Sequence, residues 1–102
     1  MSDARIEQAA PGELRLIGVL DYSTGPQLRE KGGQLISASN GAALLLDCSA
    51  VEKTSSVGLA LLLAFLRDAE AAGKAVKVRG MPEDMRQIAE VSGVTELLPL
   101  EA

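Results

Sequence analysis

Residues 44–59 read LLLDCSAVEKTSSVGL and contain the change from a strand pattern to a helix pattern. The apolar run at 42–46 has no polar interruption, which predicts a strand at the centre of a sheet, covered on both faces. A short polar loop follows, and three consecutive hydroxyl residues at 54–56 precede an apolar segment that predicts a helix from Val57 to Gly73. Strand, loop and helix in this order indicate an α/β domain.

The segment before this stretch predicts a hairpin and a first helix. Residues 4–9 and 14–20 have strand patterns, and Pro11-Gly12 supplies the turn between them. The helix that follows has a hydroxyl residue available as its cap, either Ser23 or Thr24. Because glycine weakens a helix, the pair at 32–33 predicts either close packing or a break at that point.

The segment after the stretch predicts one more strand, one more helix and a tail. Residues 75–79 alternate between apolar and polar side chains, and Pro82 suits the first turn of a helix that ends at Gly93. The apolar tail at 96–100 is expected to lie across the body of the protein. We therefore expect a single domain over residues 1–102, with a small mixed β-sheet and helices packed on it.

The chain of 102 residues contains no histidine and one cysteine. Without histidine there is no Ser-His-Asp triad, no Cys-His dyad and no imidazole metal ligand. Cys48 has no partner for an internal disulfide or a zinc site, and Asp21 and Asp47 each follow a predicted strand, where capping a turn is the usual role. We therefore expect no enzymatic activity, no metal and no cofactor.

Charge and composition also restrict the partners of this chain. The net charge of −4 has the wrong sign for a protein that binds a phosphate backbone, and 2% aromatic residues leave almost nothing to stack on bases. The longest apolar run, from Val57 to Leu66, is ten residues, whereas a helix needs about 20 to span a bilayer. Residues 1–5 lead into polar residues where a signal peptide would need an apolar stretch, so we expect no signal peptide there. We expect a cytoplasmic protein that neither binds nucleic acid nor inserts into a membrane.

The hydroxyl cluster Thr54, Ser55 and Ser56 has two interpretations. One is helix capping, in which a hydroxyl oxygen accepts a hydrogen bond from a free backbone N–H. The other is an exposed recognition point, since free N–H groups and the positive end of the helix dipole lie there, with Lys53 nearby. A nucleophilic serine would need a lysine or a carboxylate as its base. Lys53 beside Ser55 or Ser56 is the best available pair, but a solvated lysine stays protonated near neutral pH.

The helix that follows is apolar over an unusually wide arc. Its small residues are predicted on the remaining side, where another backbone could approach closely, so a partner protein could dock there. The alternative is that neighbouring helices cover the extra arc and that the alanines are simply good helix formers. The centre of the apolar face is predicted at Leu59, Leu62, Leu63 and Leu66, its extension at Gly58, Leu61, Phe65 and Ala69, and the small residues are Ala60, Ala64 and Ala71.

Two landmarks in this sequence resemble the signature of STAS domains. The first is a strand end, Leu-Leu-Leu-Asp-Cys-Ser at 44–49, followed by a loop of five residues and by Ser-Ser-Val-Gly-Leu at 55–59. The second is Gly-Val-Leu-Asp at 18–21, before the first helix. The resemblance covers residues 14–98, and it implies the STAS fold.

Within STAS domains, the segment Gly58 to Leu63 is most similar to the MlaB type. In the related anti-sigma-factor antagonists, a phosphorylated serine or threonine immediately precedes the glycine, and in this chain Val57 occupies that position. Ser56 matches the preceding hydroxyl position, which MlaB-like proteins keep, and Ser55 replaces an acidic residue of the family.

The resemblance implies a non-catalytic subunit of an ABC-type phospholipid transporter that maintains lipid asymmetry in the outer membrane. Such a subunit binds the cytoplasmic ATPase subunit (MlaF-like), supports its assembly and activity, and lies at the inner-membrane face through the complex. By motif position, the implied partner-binding residues are Thr54, Ser55, Ser56, Val57, Ala60 and Ala64.

Two other functions remain open at this point. The first is an anti-sigma-factor antagonist controlled by a serine kinase that acts on Ser56 or Ser55 despite the displaced acceptor. The second is a free-standing module that binds a ligand at the N-terminus of the helix.

Overall fold

The computed structural model describes residues 4–100, and these form a four-stranded mixed sheet with three α-helices. Residues 1–3 and 101–102 of the predicted domain lie outside the described residues. The strands lie in the order β1-β2-β3-β4; β1 pairs with β2 antiparallel, and the other two pairs are parallel. The elements are β1 (Arg5–Ala10), β2 (Glu13–Leu20), α1 (Gly25–Ala38), β3 (Ala43–Thr54), α2 (Ser56–Ala71), β4 (Ala75–Arg79), α3 (Glu83–Ser92) and a 3-10 turn (Thr95–Leu97). The predicted mixed α/β architecture is confirmed.

The ends of the elements follow the local sequence. Gly12 turns the hairpin with φ 76°, and Gly93 ends α3 in the left-handed conformation with φ 72°, as its position predicted. The hydroxyl cap predicted for α1 is wrong. Thr24 occupies the cap position, but its side chain makes no capping bond and instead donates to Val19 O at 3.1 Å.

The polar loop predicted after Asp47 is wrong, because β3 continues to Thr54. Its partner β2 runs beside it from the pair Glu13–Leu45 to the pair Leu20–Thr54, with two register shifts on the way. Backbone hydrogen bonds to β2 therefore stabilise a segment whose side chains are mostly polar, and this long-range pairing outweighs the local turn pattern. The two register shifts also explain why the sequence of β3 shows no regular alternation of apolar and polar side chains.

The helices cover one face of the sheet, so the prediction that β3 is covered on both faces is also wrong. Leu44 and Leu46 are buried, while Leu45 between them is only half-buried. Alternating buried side chains of β2 point toward the same core as apolar residues of all three helices. Buried members of that core include Leu14, Leu16, Leu46, Leu28, Ile36, Leu62, Phe65, Met85 and Ala89.

The second face of the sheet has a row of alternating charges across all four strands. Arg15 of β2 is in register with Glu7 of β1 and with Asp47 of β3, and Asp47 is in register with Arg79 of β4. Burial raises the pKa of Asp47, but hydrogen bonds from Ser49 N at 3.0 Å and Ser49 Oγ at 2.6 Å, together with Arg15, outweigh it and hold the pKa below its ordinary value. This face is thus stabilised by charge pairing without a covering helix.

The C-terminal segment lies against the outer edge of β4, as the apolar tail predicted. Val78 N donates to Pro99 O at 2.9 Å, Val78 is in bridge contact with Leu100, and Leu98 is buried. No helix among residues 4–100 has the length and apolar character that crossing a bilayer requires.

The two long helices meet at a glycine. A Cβ added to Gly32 would overlap the ring of Phe65, which is completely buried. The glycine pair of α1 therefore produces close packing and no break in the helix. At the next turn the guanidinium of Arg29 binds the carboxylate of Asp68, with Nη2 and Oδ1 at 3.1 Å.

Gly32→Ala should destabilise the protein by roughly 1–3 kcal/mol, because the added methyl group overpacks the contact with Phe65. The matched control is Gly33→Ala, whose Cβ would meet only the flexible ends of Arg29 and Asp68 at 3.3 and 3.5 Å. There the gain in helix propensity should dominate and stabilise by up to about 1 kcal/mol. Urea unfolding followed by far-UV circular dichroism measures both; equal effects of the two substitutions would contradict the packing assignment.

Candidate functional site

The predicted site lies where α2 begins, at the carboxyl ends of the parallel strands β2 and β3. Thr54 ends β3 in register with Leu20, the last residue of β2. Ser55 N then donates to Leu20 O at 3.0 Å, which joins the start of α2 to the end of the neighbouring strand. The position of the helix N-terminus is therefore determined by the pairing of the two strands.

Thr54 is buried and contributes to the support of the site. Its backbone N–H donates to Asp84 Oδ2 at 3.3 Å, and its hydroxyl donates to Ser55 O at 2.8 Å. Gly58 packs directly on it, since an added Cβ would overlap Thr54 Oγ1. Thr54 thus connects α2 to α3, and with 9% of its surface exposed it offers little to a partner.

The remaining two hydroxyl residues have different roles. Ser55 is the cap of α2, and its Oγ accepts a hydrogen bond from Val57 N at 3.2 Å, so the capping interpretation is confirmed for this residue. Ser56 is exposed at the first position of the helix. Its side chain makes no hydrogen bond to any other residue within 4–100. Ser55 is exposed as well, so what distinguishes Ser56 is that its hydroxyl is free of any bond to the described residues.

Val57, Ala60 and Ala64 line an open groove between α1 and α2. The cavity has a volume of about 360 Å³, and α1 supplies its other wall. Val57 lies against the N-terminus of α1, where a Cβ on Gly25 would come 3.0 Å from its Cγ1. Ala60 is exposed and Ala64 half-buried, so their small side chains leave the groove open. The complete lining is Tyr22, Gly25, Pro26, Arg29, Val57, Ala60, Leu61 and Ala64.

The neighbouring helix accounts for most of the wide apolar arc of α2. Leu61 and Phe65 are buried, and Phe65 packs on Gly32 of α1. Leu63 and Leu66, predicted at the centre of the apolar face, are only partly buried. The alternative that a neighbouring helix covers the arc is therefore correct for Phe65, whereas the side with Ala60 and Ala64 stays accessible.

Tyr22 belongs to this surface, and the sequence patterns did not indicate it. It is 84% exposed, which is unusual for the sole tyrosine of a chain so poor in aromatic residues. The turn beneath it is held by Asp21, whose carboxylate accepts from Ser23 N at 2.9 Å and Ser23 Oγ at 2.6 Å. The hydrogen bond from the Ser23 hydroxyl is the main reason that the pKa of Asp21 is lowered. The role of Asp21 as a turn cap is confirmed.

The groups that could do chemistry are not arranged for it. Burial raises the pKa of Cys48 to about 12, so this thiol stays protonated and unreactive near neutral pH. A shallow cleft of about 210 Å³ contains Lys53 beside Ser55 and Asp21, but Lys53 is exposed and Ser55 is engaged as the helix cap. The site is therefore better suited to contact than to nucleophilic chemistry.

Ser55→Ala should destabilise the protein by about 1 kcal/mol, because the N–H of Val57 loses its acceptor at the start of α2. Ser56→Ala is the matched control, and it should change the free energy of unfolding by less than about 0.5 kcal/mol, as for other exposed positions without partners. Urea titration measures both. A larger loss for Ser56→Ala than for Ser55→Ala would overturn the assignment of the cap.

Comparison with known proteins identifies the relatives of this chain. A family model described as "Mlab, STAS domain" matches residues 5–99. An anti-sigma factor antagonist from Mycobacterium paratuberculosis is similar in structure, with a TM-score of 0.74 at 29% identity over 98% of this chain and 85% of that one. The phosphorylated Bacillus cell fate determinant SpoIIAA gives a TM-score of 0.68 at 19% identity, over 97% of this chain and 91% of that one. A variant of RsbS from Moorella thermoacetica gives a TM-score of 0.69 at 17% identity, over 98% of this chain and 86% of that one. The similarities to SpoIIAA and to RsbS concern the fold alone.

Proposed function

Because the chain belongs to the STAS domain family, we propose that it is a non-catalytic accessory subunit of an ABC-type phospholipid transporter. In this role it binds the cytoplasmic ATPase subunit (MlaF-like) and supports its assembly and activity, and it thereby serves lipid asymmetry in the outer membrane. ATP hydrolysis and lipid handling belong to the other chains of the transporter. The description of the matching family model as MlaB supports this choice among STAS proteins.

The observation that carries the proposal is Val57 at the position immediately before Gly58. Anti-sigma-factor antagonists have a phosphorylatable hydroxyl there, whereas Val57 has no atom that accepts a phosphoryl group. Its side chain instead packs beside Gly25 and lines the groove between α1 and α2. The position that makes a phosphorylation switch in those relatives is used here for apolar contact, which favours a constitutive partner over a regulated one.

The surface around Val57 has the properties of a protein interface. Tyr22 supplies a large and stiff contact side chain, of the type that often contributes most to binding. Ala60 and Ala64 leave room for a partner element to approach α2 closely. Ser56, next to Val57 in the chain, adds an exposed hydroxyl that can exchange hydrogen bonds with the partner. On this proposal the chain lies at the cytoplasmic face of the inner membrane through its complex with the ATPase.

The partner-binding assignment changes for two residues of the predicted set. Ser56, Val57, Ala60 and Ala64 are proposed to contact the partner directly. Thr54 and Ser55 are proposed to act indirectly, because the first is buried and the second caps the helix. Tyr22 joins the set.

A second candidate function is that of an anti-sigma-factor antagonist. The similarity in structure to the antagonist from Mycobacterium paratuberculosis favours it, as does the exposed hydroxyl of Ser56. A phosphoryl group on Ser56 would add nearly two negative charges at the start of α2, beside the groove, and would repel an acidic partner.

Ser56→Arg should abolish co-purification with the ATPase subunit, because a long charged side chain would be forced into a packed contact. Gln34→Arg is the matched control, since it places the same side chain at an exposed position in the second half of α1. This control should bind like the parent in a pull-down from membrane extract. Retained binding by Ser56→Arg would refute the assignment of Ser56 to the contact. Loss of binding by both variants would refute the placement of the contact at the start of α2.

Incubation with the serine kinase encoded nearest to this gene, together with ATP, should leave the intact mass of the protein unchanged. The physical reason is that the acceptor position holds Val57. Stoichiometric addition of one phosphate, lost in Ser56→Ala, would contradict the transporter proposal and favour the antagonist function.

A further inference from the structure

The two edges of the sheet are not equivalent. The outer edge of β4 is covered by the C-terminal segment, through the hydrogen bond from Val78 N to Pro99 O at 2.9 Å. The outer edge of β1 has no strand beside it among residues 4–100. An edge strand presents a row of backbone N–H and C=O groups that can pair with a strand of another chain.

Strand β1 has few of the features that usually protect such an edge. It contains neither proline nor lysine, and its one irregularity lies between Gln8 and Ala10, next to the hairpin turn. The stretch from Arg5 to Gln8 pairs with β2 without a register shift, so its backbone is regular enough to accept a further strand. Its two charges, Arg5 and Glu7, cancel, so the edge is locally neutral although the chain carries a net charge of −4.

We propose that β1 pairs antiparallel with β1 of a second copy of this chain, which makes one sheet continuous across a two-fold dimer. The charge pattern selects the register. When the two-fold axis passes through Ile6, Arg5 of each copy lies opposite Glu7 of the other. An axis through Arg5 or through Glu7 would place like charges opposite each other, which is destabilising. Among these three registers, two antiparallel copies of the order Arg-Ile-Glu place opposite charges beside each other only when the axis passes through Ile6.

The side chains of β1 are already placed for this pairing. Within one copy, Arg5 Nε lies 3.4 Å from Glu7 Oε2, and both side chains are about half-exposed on the charged face of the sheet. They can exchange partners between copies while they stay on the charged face of the sheet. Ile6 points to the opposite face and is buried in the core, so the two Ile6 side chains extend the apolar layer across the axis. The inference is independent of the proposed function, because no residue of the groove between α1 and α2 takes part.

Sedimentation velocity over a wide concentration range tests the dimer through a charge exchange. The parent should show a reversible monomer–dimer equilibrium that weakens at high salt. Arg5→Glu and Glu7→Arg should each weaken dimerisation about tenfold, since each variant places two like-charge pairs across the axis. An equimolar mixture of the two variants should recover dimers, because the two carboxylates on β1 of one variant would then face the two guanidinium groups on β1 of the other.

Two further results distinguish strand pairing from general repulsion. Glu7→Arg changes the net charge from −4 to −2, so relief of repulsion alone would strengthen association, whereas the proposed pairing weakens it. The double variant Arg5→Glu with Glu7→Arg should dimerise like the parent. A parent that stays monomeric at the highest concentration, single variants that dimerise unchanged, or a mixture that fails to recover would each overturn the proposal. Far-UV circular dichroism checks that all variants are folded.

Discussion

The parallel pairing of β2 with β3 is the interaction on which the rest of the structure depends. It extends β3 through a polar segment as far as Thr54, in register with Leu20 at the end of β2. The hydrogen bond from Ser55 N to Leu20 O then determines where α2 starts. If this register moved by one residue, every side chain of the strand would change face, and the start of the helix would be displaced with it.

A second constraint, the close approach of α1 to α2, shapes the groove at the site. Gly32 admits the ring of Phe65, and Gly25 leaves space for Val57. Because these contacts hold α1 and α2 close together, the wide apolar arc of α2 is mostly buried inside the protein. At the groove, the accessible residues include Ala60 and, on the turn before α1, Tyr22. Elsewhere on α2, Leu63 and Leu66 are only partly buried.

The chemistry of the site is consistent with a protein that acts by contact. Cys48 is held protonated inside the core. Thr54 is buried and Ser55 is used as a cap, so the exposed hydroxyl without a partner among the described residues is that of Ser56. The two candidate functions would use this site differently: a phosphorylation switch would have to act on the hydroxyl of Ser56, because Val57 has none, whereas a constitutive contact would use Val57 itself. The two-fold pairing of β1 would add a second, separate contact surface on the edge of the sheet.

Several features were determined by local sequence alone. The hairpin at Pro11-Gly12, the end of α3 at Gly93 and the hydroxyl cap of α2 depend on neighbouring residues, since backbone conformation and capping are local properties. The family landmarks also lie in short segments and were recognisable without coordinates.

Other features were decided only by the tertiary structure. The strand character of residues 49–54, the single covered face of the sheet, the burial of Thr54 and the exposure of Tyr22 depend on residues distant in sequence. Hydrogen bonds to a neighbouring strand and the space left between two helices arise from the assembled fold, and no local pattern contains them. For this protein, local sequence therefore determined the type and ends of most elements, and long-range packing decided which side chains remain available to a partner.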